Sequence, residues 1–131
     1  MLTGTKTRAR SKPRLAPAHR RKPVVGNELR ALRHRFGMSQ TLLSRLLDMS
    51  LRTLSGAEAA GAVPQHMQRS VTQVVRLCDA LGEAMQSAFV ARWLDQPNEM
   101  LGNLKPVEAI ERGQVDLVWQ VVEGLRSGSQ L

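Results

Sequence analysis

From residue 24 onward, apolar residues recur every three or four positions, which is the spacing of one face of an amphipathic helix. No segment shows the strict alternation of apolar and polar residues that is typical of a β-strand. The pattern therefore predicts an all-α fold with the following apolar stripes: Leu29, Leu32 and Phe36; Leu42, Leu43, Leu46 and Leu47; Leu51 and Leu54, with Glu58; Met67, Val71, Val74, Cys78 and Leu81; Met85, Phe89 and Trp93; and Val115, Val118, Val122 and Leu125.

Residues that favour helix ends stand at the borders of these stripes. Ser39 and Ser50 precede the second and third stripes, where an N-cap hydroxyl is expected to accept a backbone hydrogen bond. Gly82 is expected to cap the long fourth helix, and Pro106 is expected to begin a short helix. The last helix is expected to end at Gly128.

Residues 40–59 read QTLLSRLLDMSLRTLSGAEA and have the spacing of a helix-turn-helix. Such a unit needs small or apolar residues where its two short helices cross, and a turn residue that tolerates a left-handed backbone. Asp48 stands at that turn, and Asp is one of the few residues that tolerate this conformation. Ser44 is small at the crossing, and the core positions are Leu43, Leu47, Met49 and Leu54. Residues 28–61 resemble the Xre/Cro-like helix-turn-helix family.

The second helix of such a unit lies in the major groove of DNA and reads base edges. The resemblance implies base-facing positions at Ser50, Leu51, Arg52, Ser55 and Gly56, and we expect Gln40 and Thr53 to contact DNA as well. Only Arg52 could make a bidentate contact with guanine. Gly56 is unfavourable inside a helix, and Ala57 stands where this family often has an aromatic residue. The alternative is a retained three-helix scaffold that no longer reads DNA well.

The net charge of +8 is concentrated in the first 23 residues. That segment has eight basic residues and no acidic residue, and it has too few large apolar residues to form a core. Residues 24–61 carry five basic against three acidic residues, and residues 62–131 carry six against eight. We therefore interpret residues 1–23 as a disordered basic arm that is suited to DNA phosphates. A solubilising tail and a misassigned translation start are the alternatives.

The C-terminal half carries the more specific motif. Residues 93–106 read W-L-x-x-P-N-x-x-L-x-x-x-x-P and are followed by a short helix, Gly113 and a final apolar helix. This succession after a helix-turn-helix is similar, over residues 64–128, to the toxin-binding domain of Xre/MbcA/ParS-type antitoxins. Lys105 stands where Thr is commoner in that family. The expected domains are a disordered basic arm at 1–23, a helix-turn-helix domain at 24–63 and a helical toxin-binding domain at 64–131.

The resemblance implies that the chain is the antitoxin of a type II toxin–antitoxin pair. It would neutralise an NAD-targeting toxin of RES-like or ADP-ribosyltransferase-like fold by covering the active site, and it would autoregulate its operon. The implied partners are the cognate toxin protein, operator DNA and a second copy of the chain, in a homodimer and in a toxin–antitoxin hetero-oligomer. The alternative is a free-standing Xre-type transcriptional regulator whose C-terminal half dimerises or senses a ligand.

We expect the toxin-binding surface to combine the motif with the last helix. The apolar band of that helix, with Leu117 and Val121, is wider than one packing face needs, and the polar residues 126–130 are able to enter a nucleotide cleft. The expected toxin-binding residues are Trp93, Pro97, Asn98, Trp119, Leu125, Arg126, Ser127 and Gly128. Maintenance of the fold is the alternative role of the motif residues, and closure of a homodimer is the alternative for the band.

The sequence also excludes several classes of protein. No apolar run approaches the roughly 18–20 residues of a membrane span, and no signal peptide is visible. The single cysteine excludes a disulfide framework, which favours a cytoplasmic setting, and Cys78 is expected to be a buried, inert thiol. The three histidines lack metal-ligand spacing, and no catalytic triad or phosphate-binding loop is recognisable. We expect no enzyme activity, no cofactor and no metal.

Deletion of residues 1–23 should reduce the salt dependence of non-specific DNA binding. If about four basic residues contact phosphates, the slope of log affinity against log salt becomes shallower by roughly 3 to 4, at about 0.9 per phosphate contact. Salt titrations of the full-length and deleted proteins on one duplex measure both slopes. Equal slopes would show that the arm does not contact DNA.

Overall fold

The computed structural model describes residues 26–128, so the predicted basic arm lies outside the described range. The helices of this range are α1 (Gly26–Phe36), α2 (Gln40–Leu47), α3 (Leu51–Ala60), α4 (Gln68–Ala84), α5 (Ser87–Leu94), α6 (Pro106–Glu111) and α7 (Val115–Arg126), with short 3₁₀ helices at Gln65–Met67 and Glu99–Leu101. Between Gly26 and Gly128 the only β-type pairing is an isolated bridge of Asn98 with Leu104. The predicted all-α fold is confirmed.

The first three helices begin and end where the sequence indicates. The Ser39 hydroxyl accepts a hydrogen bond from the Leu42 amide, and the Ser50 hydroxyl accepts one from the Thr53 amide, both at 3.0 Å. Asp48 ends α2 in the left-handed conformation, with a φ of 55°. The caps and the turn of the helix-turn-helix are therefore confirmed.

Helix α4 is the centre of the packing. Its buried stripe is Val71, Val74, Leu77, Cys78, Ala80 and Leu81, and the helix contacts α1, α2, α5 and α7. Helix α3 packs against α1 and α2, and α6 packs against α2 and α7. The buried apolar residues form one core cluster that extends from Leu29 to Val122. None of these helices has the length and apolar composition that a membrane span requires.

The prediction that Gly82 ends the fourth helix is wrong, because α4 continues to Ala84. Gly82 lies inside the helix, where an added Cβ would stand 3.1 Å from Cε1 of the Phe36 ring. Since Phe36 is fully buried, the ring has little room to move away. Gly82 therefore allows α1 to pack closely against α4, and it does not cap the helix.

In three of the predicted apolar stripes, some members lie outside the core. Helix α5 buries Val90 and Leu94, whereas Phe89 of the predicted stripe is 47% exposed. Leu51 of the third stripe is 46% exposed. In α7 the buried residues are Val118, Val121, Val122 and Gly124, and the predicted Val115 and Leu125 are largely exposed.

Substitution of Gly82 by Ala should destabilise the protein although alanine is the better helix former. The added methyl must displace the buried Phe36 ring, and overpacking of this kind costs about 1–3 kcal/mol. The free energy of unfolding from urea denaturation measures the change. A variant as stable as the wild type would contradict the close α1–α4 packing.

Candidate DNA and protein interfaces

Helix α3 exposes its first turn. Leu51, Arg52 and Thr53 are all exposed, and Gly56 lies on the same side as Arg52 and Thr53 one turn later. The Ser50 hydroxyl donates a hydrogen bond to the Thr53 hydroxyl at 2.8 Å, so both groups already have a partner within the protein. Of the predicted base-facing residues, the structure thus brings Leu51 and Arg52 together on an open surface.

The opposite side of α3 carries a buried carboxylate, Glu58, which is 4% exposed. It accepts two hydrogen bonds from the Arg33 guanidinium on α1, from Nε at 2.7 Å and from Nη2 at 2.8 Å. Arg30 donates to the Glu58 backbone carbonyl at 3.0 Å. The bonds from Arg33 lower the pKa of Glu58, and the same bonds raise the pKa of Arg33, although burial opposes both shifts.

Two of the predicted DNA contacts, Gln40 and Ser55, belong to this buried network. The Gln40 amide donates to Glu58 Oε1 at 3.1 Å, and its carbonyl oxygen accepts from the Ser55 hydroxyl at 3.1 Å. These bonds connect the first turn of α2 to the middle of α3. Contact of Gln40 and Ser55 with DNA stays a prediction, and in the structure they orient the two helices.

Periodicity predicts Glu58 on the third stripe and indicates no partner for it. A signal was present, because a carboxylate at an apolar position needs a buried cation, and α1 presents Arg30 and Arg33 at a spacing of three residues. The pair positions the exposed face of α3 relative to α1. Glu58 and Arg33 are therefore supporting residues of the candidate DNA interface.

The W-L-x-x-P-N motif forms a closed loop between α5 and α6. The side-chain oxygen of Asn98 accepts from the Met100 amide at 2.9 Å, and the Asn98 backbone amide donates to the Leu104 carbonyl at 2.9 Å. Lys105 binds Asp95 at 3.1 Å across the mouth of the loop. Trp93 packs half-buried on the core, while Pro97 is exposed. These contacts hold the loop itself, and a role in binding a partner stays a prediction.

The other predicted toxin-binding residues lie on α7 and just beyond it. Trp119 is half-buried beside an open cavity of about 420 Å³, which is also lined by Leu46, Leu77 and Ile110. Leu125 is 42% exposed. Exposed apolar side chains occur at both ends of α7, with Val115 and Leu117 at its start and Leu125 at its end.

Arg126 already has carboxylate partners at the C-terminal end of α7. Its guanidinium binds Glu83 of α4 at 2.9 Å and Glu123 of the preceding turn at 3.2 Å. The Ser127 hydroxyl donates to the Gly124 carbonyl at 3.2 Å, and Gly128 has a φ of 76°. Pairing of Arg126 with a partner protein would therefore have to replace or extend these ion pairs.

A second ion-pair cluster joins α2 to α6. Arg45 donates from Nε and Nη2 to Glu111 at 2.9 and 2.8 Å, and it lies 4.0 Å from Asp95. The hydrogen bonds to Glu111 raise the pKa of Arg45, and they lower the pKa of Glu111. Both side chains are about one-third exposed, so solvent screening leaves this pair a modest contribution to stability.

The part of the chain from Gly26 to Gly128 holds no group of three or more His, Cys, Asp or Glu side chains that could bind a metal. Cys78 is fully buried, and burial raises the pKa of its thiol to about 12. A thiol of this kind is a poor nucleophile near neutral pH.

Comparison with known proteins defines the class of the N-terminal half. Residues 24–85 match the family described as "Helix-turn-helix domain". The matched segment includes α1 to α4 and extends beyond residue 63, where sequence analysis placed a domain border, and that border stays a prediction. By fold and sequence this part of the chain is a helix-turn-helix domain.

The relatives cover the C-terminal half as well. The chain is 22% identical over 106 residues to the "Mycobacterial cidal antitoxin MbcA" of Mycobacterium tuberculosis and of Mycobacterium bovis, covering 80% of this chain and 94% of each relative. It shares its fold with a chain of the M. tuberculosis MbcT–MbcA toxin–antitoxin complex, with a TM-score of 0.66, 22% identity and coverage of 81% and 96%. The resemblance to Xre/MbcA-type antitoxins is therefore confirmed, and the chain is a homologue of MbcA.

Substitution of Glu58 by Gln should destabilise the protein in a pH-dependent manner. Because the native pKa of Glu58 lies below the ordinary 4.5, the carboxylate stabilises the fold above that pH, and the contribution is lost as pH falls through the native pKa. We expect a loss of about 2–3 kcal/mol at neutral pH, less than the roughly 3–5 kcal/mol of a fully enclosed pair because Arg33 keeps some exposure.

Urea denaturation of wild type and variant from neutral to acid pH measures this difference. Glu111→Gln is the matched control, since its pair with Arg45 is partly exposed and should contribute no more than about 1 kcal/mol. The difference in the free energy of unfolding between wild type and Glu58→Gln should become smaller on acidification. A difference that stays constant would contradict a stabilising role of the ionised Glu58 carboxylate.

Proposed function

We propose that this chain is the antitoxin of a type II toxin–antitoxin pair. It covers the active-site cleft of an NAD-targeting toxin, of RES-like or ADP-ribosyltransferase-like fold, and represses its own operon through α3. The similarity to MbcA supports this proposal, because it extends over 94% of a curated antitoxin and includes the half that follows the helix-turn-helix. The related chain of known structure was crystallised in complex with the toxin MbcT.

Helix α7, with the residues that follow it, is the proposed contact with the toxin. Helix α7 is anchored by Val118, Val121 and Val122, which are buried, yet it exposes 42% of both Leu117 and Leu125. Large apolar side chains that are left open on a packed helix are typical of a surface that another molecule covers. Residues 126–130 are small or polar apart from Arg126, and we propose that they enter the cleft of the toxin.

The first turn of α3 is the proposed contact with DNA. Arg52 is exposed there without a carboxylate on the same helix to neutralise it, because Glu58 is buried against Arg33. A single helix of this size reads few base pairs, so a dimer is proposed to bind two half-sites. The apolar residues that α7 leaves exposed are also available to a second copy of the chain, and the toxin is the occupant that we propose.

Truncation after Gly124 tests the proposed role of α7. The deleted protein keeps Val118, Val121 and Val122 and loses the exposed Leu125 together with the Arg126–Glu83 ion pair, so it should stay folded and bind DNA. We expect it to lose the ability to rescue cells that express the toxin. Growth assays with the toxin measure rescue, and circular dichroism checks folding.

Glu83→Gln in the full-length chain is the matched control, because it removes the ion pair with Arg126 but keeps every residue of the proposed toxin-binding surface. It should retain most of its protection. If the truncated protein is folded and still protects, the toxin-binding surface lies elsewhere, and the loop at residues 93–104 becomes the next candidate.

A further inference from the structure

Gly56 is a glycine that the fold itself does not require. It lies inside α3, its φ is not in the left-handed region, and an added Cβ would meet no heavy atom within 4 Å. Glycine is among the least favourable residues in a helix interior. Gly82, inside α4, differs because the Phe36 ring occupies the space beside it. Nothing in the described range, residues 26–128, therefore accounts for glycine at position 56.

The exposed face of α3 has an unusual distribution of side chains. At 100° per residue, Gly56 lies at the centre of this face, with Arg52 and Thr53 one turn before it and Ala59 and Ala60 one turn after it. Beyond the first turn, no side chain on the face is larger than a methyl group. The exposed face of α3 therefore has larger side chains in its first turn and only hydrogen or methyl side chains after it.

Leu51 is the apolar member of that first turn, and it is 46% exposed. In the major groove of DNA the apolar group on a base edge is the C5-methyl of thymine. Arg52, the neighbouring residue, has the geometry to contact guanine through two hydrogen bonds. The chemistry of the first turn therefore matches a thymine next to a guanine.

Building on the DNA-binding function proposed above, we propose that α3 reads DNA by close apolar approach. Gly56 leaves the second turn bare so that the helix lies near the floor of the major groove, where a Cβ would hold it away. Leu51 then covers a thymine methyl beside the guanine that Arg52 contacts. The buried Arg33–Glu58 pair keeps the carboxylate of α3 away from the phosphates.

Substitution of Gly56 by Ala separates folding from DNA binding, because the two should change in opposite directions. The melting temperature should rise by about 2–5 °C, since alanine favours the helix and the space is open. Affinity for the DNA fragment directly upstream of the chain's own gene should fall about tenfold or more, with a larger loss for Gly56→Leu. Gly82→Ala is the matched control. Its melting temperature should be lower than that of the wild type, and its affinity for the DNA fragment should be unchanged at temperatures where the variant is folded.

The contact of Leu51 is tested by replacing each thymine of the protected site with deoxyuridine, which removes the methyl group alone. At one position the wild type should bind about fourfold more weakly, the effect of one buried methyl group. Leu51→Ala should bind the thymine and deoxyuridine fragments equally at that position. Arg52→Ala should lose affinity for the site and keep its sensitivity to the methyl group.

The outcomes distinguish this inference from the proposed function. If the wild type binds no site specifically in the upstream fragment, the DNA-binding function fails and the inference fails with it. If the wild type binds specifically and Gly56→Ala binds equally well, the inference alone is overturned. Loss of toxin co-purification by Gly56→Ala, with DNA binding intact, would likewise overturn it by assigning the face to a protein partner.

Discussion

Burial of the apolar stripe of α4 is the constraint on which the rest of this structure depends. The helix lies between α1 and α2 on the side of the helix-turn-helix and α7 on the side of the C-terminal half, and all of them bury apolar residues against it. Because the buried residues form one cluster, neither half has a complete core without α4. The proposed DNA-reading helix α3, which packs on α1 and α2, and the proposed toxin-binding helix α7 therefore depend on the same core. The Arg45–Glu111 pair adds a polar link between α2 and α6.

Within this frame, the orientation of α3 depends on a polar interaction rather than on apolar packing alone. Helix α3 buries few large side chains, of which Leu54 is the main one, so the Glu58 carboxylate and its bonds to Arg33 and Gln40 supply directional contacts that its small residues lack. A buried carboxylate with two hydrogen bonds from one guanidinium defines an angle as well as a distance. This is how a helix composed largely of Ser, Gly and Ala keeps a defined exposed face.

The sequence predicted the number and order of the helices well, together with the caps and the turn of the helix-turn-helix, because those depend on local chemistry. Ser39, Ser50 and Asp48 each act within one turn of their own position, and the structure confirms all three. The register of α5 could not be predicted in the same way. Phe89 and Trp93 have the same four-residue spacing as Val90 and Leu94, and only packing against α1 and α4 decides which pair is buried.

The candidate site was predictable to the same local extent. Exposure of Arg52 follows from the helix-turn-helix register, whereas the commitment of Gln40 and Ser55 to Glu58 depends on contacts between residues that are distant in sequence. Likewise, Arg126 was identified as a charged residue near the end of the chain, but its partner Glu83 lies on another helix. Periodicity identifies the side of a helix that is apolar, and it carries no information about which polar groups meet across helices.

The central claim is that this chain neutralises a toxin by binding it. Co-expression with the product of the gene next to its own, followed by co-purification and a growth assay, tests that claim most directly. We predict that the neighbouring product arrests growth when expressed alone, and that with this chain it is harmless and purifies in a stable complex. A neighbouring product that is harmless alone, or that is toxic and neither binds this chain nor is relieved by it, would contradict the account.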